Sequence, residues 1–468
     1  MARRTLALLA ICGGAFLAFL DATIVNVSFP DVRRSFEEAT TAELSWILDG
    51  YFVVFAAFLI PAGGIADRLG RKRVFVAGTA AFIVTSLLCA VAPTWQTLVA
   101  ARVLQGLSAA VVAPVSLALL LPLFPPERRA AGIGLWGAAA ALAAACGPPL
   151  GGVLVELAGW RWIFVVNLPL GALVLVAALR GLDESRDERS TGLPDLPASA
   201  LAAAGLGLLA LAIIEGDSWG WGDPATVGAF AAAVVLLGVV VRRCVTHPRP
   251  LVDPALFRIP SFRWANLGTL LFAMAFFSTI LGNILFLTGV WGYSVLDAGL
   301  ATVPGPLLSA IVAGPAGRLA DRFGHRAVIV PGAVIYALGL LILRSADAQP
   351  DYVATWLPGQ ALTGVGIGLA FPTLGAAAAA HIPEDRFGVA SAVTSAFRQF
   401  GAVLGTAILV AIVGEPQTLA AAEAAAGDAY LFGVVAALGA GAAALALRAG
   451  PRPARDATVP AAAGAAGP

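Results

Sequence analysis

Asp21 and Arg102 each interrupt an apolar run long enough to cross a bilayer, and Arg398 does the same near the other end of the chain. A carboxylate inside a spanning helix costs about 2.5 to 3.5 kcal/mol on insertion scales, so Asp21 needs a reason to be there. Two readings are open. As a proton carrier, Asp21 exchanges a proton for a positively charged substrate, because desolvation favours its neutral form and a nearby cation its charged form. As a structural group, it sits wetted in the outer third of its helix, hydrogen-bonded to Thr23 or Asn26. Arg102, one turn before Gln105 and Gly106, cannot lose its proton. It is either a fixed charge on the wall of a cavity or a hub tying its helix to carbonyls of the first helix. Arg398 with Gln399 poses the same question in the second half.

The elements that must hold these residues are spanning helices. The 468 residues are 59% apolar and 12% charged, where a soluble domain carries about 25% charged residues. Apolar runs fall near 6–28, 45–66, 74–92, 97–121, 130–154 and 162–179. Two more lie near 198–214 and 224–241, and six near 265–289, 297–317, 327–343, 354–378, 389–413 and 430–447. This predicts an all-α polytopic protein of fourteen spans, arranged six plus two plus six. The division is an N-terminal half over 1–179, linkers with two extra spans over 180–264, a C-terminal half over 265–447, and a disordered tail over 448–468. The chain start, Met1 to Arg4 before an apolar run, is read as the first helix rather than a cleaved leader. Of the 29 basic residues, 23 fall on the side of the termini, which the positive-inside rule places in the cytosol.

A repeat supports the two halves. Gly63, Asp67, Arg68 and Gly70 recur at Gly317, Asp321, Arg322 and Gly324, each 254 residues later. The period is that of a duplicated half-protein, and both copies share one orientation.

The loop from Gly63 through Ile65, Asp67, Arg68 and Gly70 to Arg71 and Lys72 resembles the signature loop of the major facilitator superfamily. Leu20 to Val27 with Pro30 is similar to the first-helix motif of its fourteen-helix drug/proton antiporters, the EmrB/QacA type. Arg102-x-x-Gln105-Gly106 resembles the superfamily's proton-linked motif. Gly137 with Gly147, Pro148, Pro149, Gly151 and Gly152 resembles the motif associated with exporters, and Trp160 to Gly171 is another feature of that branch. The resemblance spans essentially the whole chain. It implies alternating access between two six-helix halves, with proton coupling at Asp21 and Arg102.

Asp67 has a mechanical reading of its own. At the cytosolic end of the second run it can meet the positive start of the thirteenth, near 388–391, and clamp the halves, with Arg71 holding it in place. The plainer reading makes Arg68, Arg71, Lys72 and Arg73 topology charges only. Gly63 and Gly70 permit close packing and a tight turn. The second copy has His325 where Arg71 stands, which predicts a weaker clamp at Asp321 and Arg322. Pro148 and Pro149 predict a bend, and Gly137, Gly147, Gly151 and Gly152 a close helix approach; a gate there is what the resemblance adds. Asp49 and Asp297 read as hydrated helix ends. The two extra helices, without partners in the repeat, are expected at the periphery.

The four cysteines and three histidines show no metal-ligand spacing, and no cofactor is expected. HExxH, paired histidines and a GxxxxGK[ST] loop are absent, which argues against an enzyme or direct ATP drive. The expected function is proton-coupled efflux of amphipathic, possibly cationic, compounds. Dedicated export of an endogenous metabolite is the alternative. The partners are then a small-molecule substrate, protons and the lipid bilayer, with no nucleic acid and a functional monomer in the plasma membrane.

Overall fold

The computed structural model describes residues 2–125, 129–186, 195–248, 250–383 and 386–447. Among these described residues, fourteen helices are long and apolar enough to cross a membrane. They are α1 (Ala2–Ser35), α2 (Thr41–Leu69), α3 (Arg71–Ala90), α4 (Trp95–Leu120), α5 (Arg129–Ala158), α6 (Trp162–Gly181) and α7 (Leu196–Ile214). The others are α8 (Pro224–Thr246), α9 (Pro260–Gly289), α10 (Val295–Phe323), α11 (Arg326–Arg344), α12 (Tyr352–Ala379), α13 (Phe387–Val413) and α14 (Leu419–Leu445). No β-strand occurs among the described residues.

Local chemistry explains where the helices stop. Hydropathy ends the first run near 28, yet α1 continues through Asp31, Arg33 and Arg34 to Ser35. A charged residue ends an apolar run but does not break a helix. The start of α2 is set by a capping box, in which the Thr40 side chain accepts from the Glu43 amide and Glu43 accepts from the Thr40 amide. Gly70, at φ 115°, makes the turn into α3. The tail after 447 lies outside the described residues.

The packing repeats with a shift of eight helices. In the first half α1 packs on α5 and α6, α2 on α4, and α3 on α4 and α6. In the second half α9 packs on α13 and α14, α10 on α12, and α11 on α12 and α14. The halves meet through two equivalent seams, α2 with α13 and α5 with α10. This is the parallel pseudo-twofold implied by the repeat.

One expectation is corrected. Only α8 is peripheral, packed on α7; α7 itself lies against both α2 and α13, across a seam. Its buried residues include the small Ala198, Ala202 and Ala210, while Gly205 faces Leu237 of α8; a repeat argument sees neither contact. Its base is fixed to α8 by Asp195, the N-cap of α7, which accepts from Arg243 at 3.0 and 2.8 Å. Those bonds hold the Asp195 carboxyl below its ordinary range.

Candidate functional site

Asp21 is fully buried, and its carboxylate ties α1 to α4 and α6, with α3 joined through Gln105. Its Oδ2 accepts from Arg102 of α4 at 2.6 Å. Its Oδ1 accepts from Gln105 of α4 at 3.0 Å and from Asn167 of α6 at 2.8 Å. Gln105 also donates to Ser86 of α3 at 2.8 Å. Arg102 and Gln105 share a helix face because they are three residues apart, and Arg102 donates to the Gln105 amide oxygen at 2.6 Å. Gly106 lets α4 reach α2 here: a Cβ on it would stand 2.5 Å from the Tyr51 carbonyl oxygen.

Arg102 donates from Nη1 to Asp21 and Gln105, while its Nη2 is buried with no partner among the described residues. Its Nε donates to the Ile47 carbonyl of α2 at 2.9 Å, and its guanidinium carbon lies 4.1 Å from the centre of the Tyr51 ring. The structure therefore brings Asp21, Arg102 and Gln105 together as expected, but in the interior of the first half and fully buried, not on a cavity wall. Thr23 and Asn26 do not serve Asp21; both donate to carbonyls of their own helix. The carbonyl that Arg102 takes belongs to α2, not to the first helix. A pair so placed is maintained only because its hydrogen bonds offset the desolvation of both charges.

Arg398 lies in the space between the halves. Its guanidinium sits 5.1 Å from the Phe19 ring of α1, and the neighbouring Gln399 is buried with its amide oxygen unpartnered among the described residues. Arg398 and Arg102 thus occupy unlike settings, one spanning the seam and one sealed inside a half.

At the face away from the termini the halves are drawn together. Glu415, after α13, pairs with Arg33 at the end of α1 and accepts the Thr41 amide of α2 at 2.7 Å. A Cβ on Gly299 of α10 would stand 2.7 Å from the Pro148 carbonyl oxygen of α5, and one on Gly152 3.0 Å from the Leu296 Cα. Gly147 and Gly151 meet Thr23 and Ile24 of α1 at similar range. The exporter-like glycines are thus a tight joint between α5, α1 and α10. Beyond it a vestibule of about 1020 Å³ opens, lined by Phe29, Glu156, Phe286, Tyr293 and Tyr430 among others.

Gly63 and Gly137 do not share this role. No heavy atom lies within 4 Å of where a Cβ would stand on either, or on Gly317. The close packing expected of Gly63 and Gly137 is absent because both lie towards the face of the termini, where the halves are not joined in this way. Asp67 accepts from Arg71 at 2.7 Å, as expected. Among the described residues it takes no bond from the start of α13; the side chains at 387 and 388, where the clamp was expected, lie outside the described set. Asp321 is exposed with no ion pair among the described residues, and Arg322 rests 5.1 Å from the Phe323 ring centre.

Asp49 requires a second correction. It is not a hydrated helix end: its exposure is 0%, and neither carboxylate oxygen has a partner among the described residues. The reason is that α2 begins eight residues earlier, at Thr41, so Asp49 lies more than two turns inside. Asp297, by contrast, is exposed in the first turn of α10 below its Ser294 cap. Sequence reasoning also passed over Tyr51, Ser86 and Glu415. Two of these are uncharged residues in apolar runs, and the third is a loop acid whose partners lie 382 and 374 residues away.

Comparison with known proteins agrees with this architecture. The profile described as Major Facilitator Superfamily matches residues 11–242 and 265–467. The multidrug resistance protein Stp of Mycobacterium tuberculosis is 37% identical over 411 residues, covering 87% of this chain and 75% of the relative. The methylenomycin A resistance protein of Streptomyces coelicolor is 33% identical, covering 86% and 84%. The cephamycin export protein CmcT of Amycolatopsis lactamdurans is 34% identical, covering 91% and 89%.

Proposed function

Since the chain belongs to the Major Facilitator Superfamily, on its fourteen-helix drug/proton antiporter branch, we propose that it exports amphipathic, cationic compounds by alternating access, driven by inward proton movement. The observation that carries this reading is a buried carboxylate, Asp21, bonded to a fixed charge and two amides from two other helices. Protonating Asp21 weakens its hold on Arg102 and loosens the packing of α1, α4 and α6 together. That makes the group a proton-sensitive joint of the first half, and substrate binds elsewhere, between the halves.

The bias of basic residues supports termini in the cytosol. In that orientation the conformation described is closed to the outside. The Asp67 clamp then forms in the opposite state, when the cytosolic ends come together. The named relatives include resistance proteins and an antibiotic export protein, which favours a second reading, export of one natural product made by the cell itself.

The test is efflux from proteoliposomes of a panel of amphipathic cations and neutral antibiotics, with and without an imposed proton gradient. Gradient-dependent efflux of several cations supports the proposal. Efflux indifferent to the gradient overturns proton coupling, and efflux of a single compound favours the dedicated exporter.

A further inference from the structure

Arg398 has no role in the arrangement above. It stands on α13, between the helix start at Phe387 and its end at Val413, roughly 16 and 22 Å from them at 1.5 Å of rise per residue, so it lies deep in the span. Its side chain is half-buried, and among the described residues it makes neither a hydrogen bond nor an ion pair. What it meets is the Phe19 ring of α1, in the other half. Because α1 and α13 do not pack on one another, the guanidinium reaches into the space between the halves.

No acid among the described residues neutralises it. The helix α13 packs on α2, α7, α9, α12 and α14, and of these α7, α9 and α12 carry no Asp or Glu. On α2, Glu43 is bonded in its cap, Asp67 pairs with Arg71, and Asp49 has no partner for either oxygen. Glu423 and Asp428 lie in the first three turns of α14, at the far face. On α1, Asp21 is held by Arg102, Gln105 and Asn167, and Asp31 lies beside Arg34 near the far end. A fixed cation so deep in a span, without a counter-ion of its own, is costly to keep and marks a functional position.

The wall beside it is aromatic. Phe19 meets Trp136 of α5 edge to face, ring centres 5.9 Å apart, and the Trp136 indole NH already donates to Ser116 of α4 at 2.8 Å. The two rings therefore offer apolar surface and no free donor. A guanidinium presents a fork of donors that matches a carboxylate, and aromatic rings take a flat apolar body.

We propose that Arg398 recognises a carboxylate on the exported compound, whose apolar body lies against Phe19 and Trp136. The inference rests on the second reading above, a dedicated exporter, and names the class of its product, an amphipathic acid. The same charge repels a cation, so any cation carried between the halves sits clear of Arg398.

The probes 1-pyrenebutyrate, 1-pyrenebutanol and 1-pyrenebutylamine share one body and differ in charge. Their binding to the protein in nanodiscs of uncharged lipid is read by fluorescence at neutral pH, with the signal of empty nanodiscs subtracted. Wild type should bind the acid about tenfold more tightly than the alcohol, as a charge-assisted pair of hydrogen bonds allows, and the amine least. Arg398→Gln should bring the acid down to the level of the alcohol, with the alcohol's own affinity unchanged. Arg398→Lys keeps the charge without the fork, so the acid should stay ahead by a smaller margin. Absence of any lead of the acid over the alcohol in wild type overturns the inference, and so does a lead that survives in Arg398→Gln. The wild-type comparison does not depend on a variant folding. Efflux of several unrelated compounds in the panel above would sink the dedicated-exporter reading, whereas the order of the three probes is measured without transport, so the two failures are told apart.

Discussion

Asp21 and Arg102 sit in a fully buried pair whose partners include two amides, a carbonyl and an aromatic face. Removing one member leaves the other charged and without its counter-ion, at a cost of about 3 to 5 kcal/mol. Arg102→Leu should therefore lower the unfolding temperature in detergent markedly, and Asp21→Asn combined with Arg102→Leu should destabilise by clearly less than the two single changes summed. Asp21→Asn alone keeps the shape of the side chain, so it should leave the protein inserted while abolishing proton-driven efflux. Unchanged pH-dependent efflux in that variant would remove Asp21 from the coupling scheme. Of these residues, Asp21, Arg102 and Gln105 were legible in the sequence, because a polar group in an apolar run stands out. Of the hub's other members, Asn167 stood out only as part of the Trp160 to Gly171 feature, without a role, and Ser86 and Tyr51 acquire theirs only from the helix they face.

Among the elements, α5 shows how small residues set an interface. Gly147 and Gly151 admit α1, while Gly152 and Gly299 bring α5 against α10. A side chain at Gly299 meets the Pro148 carbonyl, which is backbone and cannot swing aside. Gly299→Val should force the far ends of α5 and α10 apart, at about 1 to 3 kcal/mol of overpacking. Crosslinking between cysteines placed on α5 and α10 near that contact should fall, with the amount of protein in the membrane little changed. The glycine motif was readable as close packing, but its reach was not. Gly137 belongs to the same motif and meets nothing within 4 Å, because it lies about three turns from the joint.

For the molecule as a whole, the far face is held by Glu415, which ties the end of α1 and the start of α2 to the loop after α13. Burial alone would raise the Glu415 carboxyl, but the bonds from Thr41 and Arg33 outweigh it and hold it below the usual carboxylate range. The sign follows: the latch is intact at neutral pH, where Glu415 is ionised, and is lost as pH falls through the lowered value. Labelling of Ala422→Cys in the vestibule by a membrane-impermeant maleimide should rise on acidification, and Glu415→Gln should show the raised level already at neutral pH. At the opposite face, Asp67→Asn should slow turnover more than it weakens substrate binding. A pure loss of binding would count against the clamp.

The amino-acid sequence alone determined the class of the molecule. Composition forces the chain into a bilayer, run length counts fourteen spans, and a 254-residue repeat requires two like-oriented halves, all of which follow from local hydropathy and residue order. The tertiary structure decided what depends on which face of each helix meets which neighbour. It placed Asp21 inside one half and Asp49 in a donor-free setting, laid α7 across the seam, and made Glu415 a link between the halves. The physical reason is that a spanning helix is apolar almost all round, so its hydropathy reports that it is buried in something. It does not report whether that something is lipid, its own half or the other half.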